Sequence, residues 1–292
     1  NIINKTICKN KNILYIFCNR EKKYASEKIK ELNNFVDGII ESEKLKDNFK
    51  YIFIEEISEV TEFYDLVIFD DISLFSKVSN EYIREAVEEI FWYCNKIIIY
   101  ASDHIFPFGE KLEINYMMKK YPIIEPRLMN TRIKLEENIP LSLFEYFKWF
   151  KENKRIVLIV VPSEEKLNKV YNHYCSTLKS LEIRVVRYNK NQDFKFVSDI
   201  IQGYSNTLFI ITNSCGQYIR NIPNLNVIML FADDIYYSYK KILYICGAVN
   251  MSQDIQCEAI MVSREVSEEM DKAKVITRMF NKSLWEKQYL NY

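Results

Sequence analysis

The chain has 292 residues, forty Lys/Arg balanced by forty Asp/Glu, 48% apolar and 14% aromatic content; this excludes a disordered tail and gives net charge no part in drawing nucleic acid. Such a length exceeds the usual single domain and predicts two, each able to bury a core. No apolar run reaches the ~18 residues that a membrane span needs.

The first stretch, NIINKTICKNKN, has no apolar signal core and no initiator Met, so the chain reads as a fragment of something longer. Its seven cysteines (8, 18, 94, 175, 215, 246 and 257) are widely spaced, and only His104 and His173 accompany them. That pattern predicts reduced, packed cysteines in the cytoplasm, with neither a zinc site nor a disulfide framework. Charge is unevenly placed: residues 1 to 30 hold eight Lys/Arg against two Glu, whereas 41 to 90 are acid-rich. A basic edge of this kind either follows a phosphate backbone or is simply a solvated surface.

Taken in order, residues 13 to 18 (ILYIFC), 50 to 54, 65 to 69 (DLVIF) and 97 to 101 are short β-branched or aromatic runs, as buried parallel strands are. Between them Ala25, Ile29 and Leu32 make one helical stripe, and Ile83, Ala86, Val87 and Ile90 another that starts near Asn80. Residues 122 to 140 hold three of the six prolines and predict a boundary. Strands are predicted again at 155 to 161, 183 to 187, 207 to 211, 226 to 231 and 258 to 262. A helix follows Ser163, with Leu167, Val170, Tyr171, Tyr174 and Leu178 facing the sheet and Glu164 and Glu165 in its first turn. Two successive blocks of alternating strands and helices predict two doubly wound α/β domains with parallel sheets in tandem, over residues 1–137 and 138–292. Ligands of such folds sit at the carboxyl ends of the strands.

Asp70 and Asp71 occupy one of those ends. A carboxylate pair there either holds the water shell of Mg²⁺, with Asp70 the metal candidate, or only ends the strand and favours the turn. The discriminating partner is a G-x-x-x-x-G-K-[ST] loop that wraps phosphates in backbone amides. It is absent from the sequence, whose glycines are Gly38, Gly109, Gly203, Gly216 and Gly247.

The order of the segments resembles the two RecA-like domains of superfamily-two helicases, and in particular the ComFA competence family of Gram-positive bacteria, which helps move single-stranded DNA inward. The likeness runs from about residue 12 to 281. KNILYIFCNR stands where the family has a strand ending in Pro-Arg, and here it ends in Asn19 and Arg20. Asp70, Asp71, Ile72, Ser73, Leu74 and Phe75 stand for D-E-V-D-A-F, with the catalytic Glu shortened to Asp71. Ala101, Ser102, Asp103 and His104 stand for T-A-T-P, and EENIPLSLFEYFKWFKENKRIVLIVVPS is similar to the entry into the second domain. TNSCGQYIRNIPNLNV keeps Thr212, Pro223 and Asn224 but places Tyr218 and Ile219 at the expected Arg-Gly. Over YICGAVNM the Q-I-A-G-R-x-G-R motif keeps Gly247, while Tyr244 replaces Gln and Ala248 and Met251 replace the two arginines.

This resemblance implies a helicase-derived, RecA-like DNA-processing module that binds single-stranded DNA. The replaced arginines are those that contact the γ-phosphate, where such a finger contributes ~10³ or more in rate. Asp71 is one methylene short, and a displacement on the order of 1 Å lowers catalysis ~10²-fold. Weak or lost ATP hydrolysis is therefore expected: no confident catalytic residue, no cofactor for this chain, and ATP with magnesium only where a glycine loop lies upstream. By the same resemblance Asn19, Arg20, Lys22, Ser102, Ser163, Thr212 and Asn213 are the DNA-binding candidates, with Lys23 beside them. For Ser163 the competing role is a helix cap, and for Thr212 a strand end. The implied partners are single-stranded DNA and DNA-uptake or other DNA-processing proteins. The implied place is the cytoplasm, peripheral to the inner face of the membrane through those partners. The alternative is a non-catalytic protein-interaction scaffold derived from a helicase core.

Overall fold

A computed structural model describes residues 3, 6, 9, 11–18, 48–71, 78–101, 105–112, 122–189, 192, 195–202, 206–215, 219, 222, 224–249 and 257–289. The chain divides into two compact units, Asn1–Leu112 and Glu113–Tyr292. The stripe at Ala25, Ile29 and Leu32 lies outside the described residues.

In the first unit, β1 (Ile13–Phe17), β2 (Phe49–Phe53), β3 (Leu66–Asp70) and β4 (Ile97–Tyr100) form a parallel sheet in the order β2-β1-β3-β4. β1 and β3 are buried along their whole length, and their side chains alternate between two cores. Leu14, Ile16, Val67 and Phe69 meet Ile83, Ala86 and Ile90 of helix α1 (Asn80–Ile90). Ile13, Tyr15, Phe17, Leu66 and Ile68 point to the opposite face. Helix α1 starts at Asn80, where it was expected, and Ser79 is the cap: its Oγ accepts the Tyr82 N–H at 3.2 Å.

In the second unit six parallel strands run in the order β5-β10-β9-β6-β8-β7. They are β5 (Arg127–Asn130), β6 (Ile156–Val160), β7 (Arg184–Tyr188), β8 (Leu208–Thr212), β9 (Leu225–Leu230) and β10 (Ala259–Ser263). One face is covered by α2 (Leu141–Glu152) and α3 (Glu164–Ser180), through Phe147, Phe150, Leu167, Val170, Tyr174 and Leu178. A short α4 (Lys195–Gln202) follows β7, and α5 (Tyr239–Ala248) packs on α6 (Glu268–Tyr289). β5 was not expected, and it is the first described strand of the second unit. It falls in the proline-bearing stretch yet pairs with β10, Arg127 beside Ile260. Pro126 is tolerated because it only precedes an edge strand.

One buried group opposes this packing. The Tyr174 hydroxyl is enclosed without a hydrogen-bond partner, and burial pushes its pKa above the usual phenol value. Tyr174→Phe is therefore expected to raise the unfolding free energy of the second unit by about 1 kcal/mol, since it removes an unsatisfied polar atom and keeps the ring. A urea midpoint unchanged or lowered would contradict that.

Candidate functional site

In the first unit the carboxyl ends of β1 and β3 bring together Phe17, Cys18, Asp70 and Asp71. The register places Phe17 beside Asp70, the Cys18 N–H donates to the Asp70 carbonyl at 3.3 Å, and the Asp71 N–H donates to the Tyr100 carbonyl at 2.9 Å. Both aspartates are buried. Tyr15 lies two residues before Phe17 on the same face of β1, and its hydroxyl donates to Asp70 Oδ2 at 2.7 Å. The side chain expected at a metal is thus tied back along the sheet to a neighbouring strand. Among the described residues no group of three His, Cys, Asp or Glu converges to hold a metal ion. Asn19, Arg20, Lys22 and Ser102, the other candidates of this unit, lie outside the described residues.

In the second unit the loops after β6, β8 and β9 converge on a network of polar contacts. Val160 is in register with Thr212, and the Val161 N–H donates to the Thr212 carbonyl at 2.9 Å, so Ser163 and Asn213 follow adjacent strands. Ser163 caps α3, its Oγ accepting the Lys166 N–H at 3.2 Å. Thr212 is fully buried, and its Oγ1 accepts the Ser214 N–H at 3.0 Å. Asn213 is buried, with its carbonyl taking the Tyr236 hydroxyl at 3.1 Å. Thr212 thus shapes the turn, while Ser163 stands nearer the surface.

Residues that the sequence did not single out connect these loops. Asn189 at the end of β7 donates to Glu164 Oε1 at 2.6 Å. Tyr237 is buried, and its hydroxyl donates to the Val160 carbonyl at 2.8 Å. Lys166 pairs with Asp234 at 2.9 Å and lies 4.3 Å from the centroid of the Phe231 ring. Phe231 itself has φ 56°, a left-handed conformation that costs a bulky residue on the order of 1–2 kcal/mol and commonly marks loops held for a purpose. Lys241 is buried, its Nζ 3.2 Å from the Tyr236 ring centroid. Burial pushes the neighbouring Cys215 thiol up to about 12, with Lys241 opposing it, so the sulfur is neutral and packs as a small apolar group. None of this was legible from spacing, because the contacts join loops that are far apart in sequence.

Asp234 carries a pH signature. Burial raises its pKa, but the hydrogen bonds from Lys166 and from the Tyr236 N–H outweigh burial and hold it below the ordinary aspartate value. A depressed folded-state pKa gives stability that is present above the unfolded value near 4 and lost as pH falls through the folded value. The pair is partly exposed, so the expected contribution is on the order of 0.5 kcal/mol. Urea unfolding between about pH 2 and 5 is expected to show a smaller acid loss for Asp234→Asn than for the parent. An identical acid slope would remove Asp234 from the account. A separate concavity of about 490 Å³ flanks the edge strand β5. Its charges are matched, Arg127 to Glu258 at 2.8 Å and Lys274 to Glu125 at 3.8 Å, and it is not part of the carboxyl-edge network.

No protein-family model matches the chain, and no curated protein is similar to it. Solved structures are. A T. fusca Cas3 structure with AMPPNP is similar over 88% of this chain and 41% of that one, with 10% identity and a TM-score of 0.54. T. fusca Cas3 with ATP aligns over 75% of this chain and 33% of that one, at 12% identity and a TM-score of 0.48. The DUF1998 helicase MrfA bound to DNA and AMPPNP aligns over 93% and 44%, at 13% identity and a TM-score of 0.43. The chain thus spans less than half the length of these structures. The first of these likenesses, together with the two all-parallel sheets, defines the fold: two successive RecA-like α/β domains with parallel sheets.

Proposed function

We propose that the chain is a helicase-derived DNA-processing module of the ComFA type, which holds single-stranded DNA and has weak or no ATP turnover. The observation that carries this reading is the RecA-like fold, aligned with the Cas3–AMPPNP structure across most of the chain. The motif order quoted above supports the narrower ComFA assignment. Two features support the loss of turnover. Asp70 is engaged by Tyr15, and Ala248, at a position where an arginine is expected, is buried and carries neither charge nor donor. Lys166 is committed to Asp234, so the task of holding phosphates falls on Arg20, with Asn19 and Lys22, and on the loops bearing Ser102, Ser163 and Asn213. Thr212 supports its loop from beneath. DNA-processing proteins are the partners in this reading, at the cytoplasmic side where single-stranded DNA arrives.

Fluorescence anisotropy with labelled oligonucleotides at two salt concentrations tests it. Binding should weaken as salt rises, and Arg20→Ala should lower affinity about threefold to tenfold while reducing the salt slope by about one. No binding, or binding indifferent to Arg20→Ala, rejects the DNA-holding role. ATP hydrolysis that Asp70→Asn abolishes rejects the loss of turnover.

A further inference from the structure

We propose that an aromatic cluster at the amino edge of the first sheet docks a short lysine- and arginine-bearing segment of a partner protein. The cluster includes none of the residues used for the DNA reading. Phe63, Phe91, Trp92 and Tyr93 are 54%, 60%, 80% and 37% exposed. They are held together by backbone contacts. The Tyr64 N–H donates to the Tyr93 carbonyl at 2.8 Å and the Asn95 N–H to the Tyr64 carbonyl at 3.0 Å, and Tyr64 bridges Cys94. The Phe91 and Trp92 rings meet edge-on at 5.7 Å. Exposed apolar residues are ordinary when scattered, whereas Phe91, Trp92 and Tyr93 are consecutive on one turn and the Tyr64–Tyr93 bond brings the segment bearing Phe63 alongside, which marks an interaction site. Together they present on the order of 400 Å² of aromatic surface. That is about half of the ~800 Å² one partner gives to a standard interface, which suits a short segment better than a folded domain.

The charge around the cluster selects the chemistry of that segment. Helix α1 carries Glu81, Glu85 and Glu89 at successive i, i+4 positions, with Glu88 beside them, and like charges at that spacing destabilise a helix. Glu88 and Glu89 lie in its last turn, which has no basic residue although the helix dipole favours cations there. One turn further on, by the same spacing, stand Phe91 and Trp92. Glu59 and Glu62 flank Phe63 on the other side. Of the described cations nearby, Lys50 is matched to Glu62 at 2.5 Å and Lys11 to Asp65 at 3.6 Å, the Arg84 Nε donates to the Ile105 carbonyl at 2.8 Å, and Lys96 makes no ion pair among the described residues. Glu85, Glu88 and Glu89 make no ion pair among the described residues. An arginine or lysine laid on the Trp92 ring gains a cation–π contact and a carboxylate within one helical turn. A nucleic-acid backbone meets repulsion at the same place.

The test is anisotropy of the full chain with a fluorescein-labelled synthetic peptide of alternating arginine and leucine, a counterpart with glutamine for arginine, and an oligo-dT strand. Saturable binding of the arginine peptide is expected. Trp92→Ala should weaken it about thirtyfold, as for a central interface aromatic. The Glu88→Gln, Glu89→Gln double variant should weaken it about fivefold, an effect that shrinks with added salt. Trp92 is exposed, so its removal should leave thermal unfolding unchanged, and that separates lost docking from lost folding. The proposal is overturned by no saturable binding, by equal binding of the glutamine peptide, by arginine-peptide binding unchanged in Trp92→Ala, or by oligo-dT binding that Trp92→Ala removes.

Discussion

Truncating Phe147 to alanine is expected to lower the unfolding free energy of the second unit by about 3–5 kcal/mol. The residue is fully buried on α2. Its ring meets Phe209 of β8 edge-on at 5.2 Å and Tyr174 of α3 at 6.1 Å, so it joins two helices to the sheet. Alanine there gives up the transfer energy of a phenyl group and leaves a void that Phe150, 6.2 Å from Phe209, cannot fill without leaving its own site. Against a total stability of about 5–15 kcal/mol the loss is a large fraction. Phe147→Leu, which keeps most of the volume, is expected to cost less than about 1.5 kcal/mol. Urea unfolding of the three proteins checks this, and a Phe147→Ala midpoint within error of the parent would show the site to be loosely packed.

Asn226→Ala is expected to cost a similar amount, about 3–5 kcal/mol, by a different route. Asn226 is wholly buried in β9, where the strand pattern calls for an apolar side chain. Its Nδ2 donates to the Ile156 and Asn224 carbonyls, both at 3.2 Å, and its Oδ1 accepts the Glu258 N–H at 2.8 Å. One amide therefore serves the start of β6, the turn before β9 and the entry to β10. Its removal takes a partner from the buried Glu258 N–H and from two part-buried carbonyls, at about 1–3 kcal/mol for the buried group and less for each of the others, besides the lost packing of the side chain. Hydrogen exchange is the sharper measurement: the amide of Glu258 should lose protection ahead of those in the sheet centre. If that amide keeps its protection in Asn226→Ala, the bridging role is wrong.

Strands made of uninterrupted buried residues were legible, since LVIFD, LFIIT and AIMVS have few alternatives to the centre of a parallel sheet. Ser163 was legible as a cap because its own helix supplies the partner. β5 was not. R-L-M-N has no strand signature, and only the edge of β10 makes it one. The hydrogen bond that Tyr15 gives Asp70 joins residues 55 apart in the chain, and nothing local connects the two. Asn226 resembled an ordinary first residue of a strand. Trp92 was hidden for a compositional reason: with 14% aromatics, one more tryptophan carries no signal until its exposure is known. Local grammar thus reached the scaffold, while the loops that give it a task are defined by contacts between distant segments.

The pairing of β5 with β10 also sets a timetable for the ribosome. Arg127 and its partner Glu258 are 131 residues apart, and at about 5–20 residues per second the first waits roughly 6–26 s for the second to be made. During that interval β6 to β9 can assemble as a four-stranded block, because their partners lie close behind one another. β5 is thus the earliest strand of its unit to emerge and the last to be matched. A nascent chain stalled before β10 should present it to chaperones, with the rest of the sheet already folded.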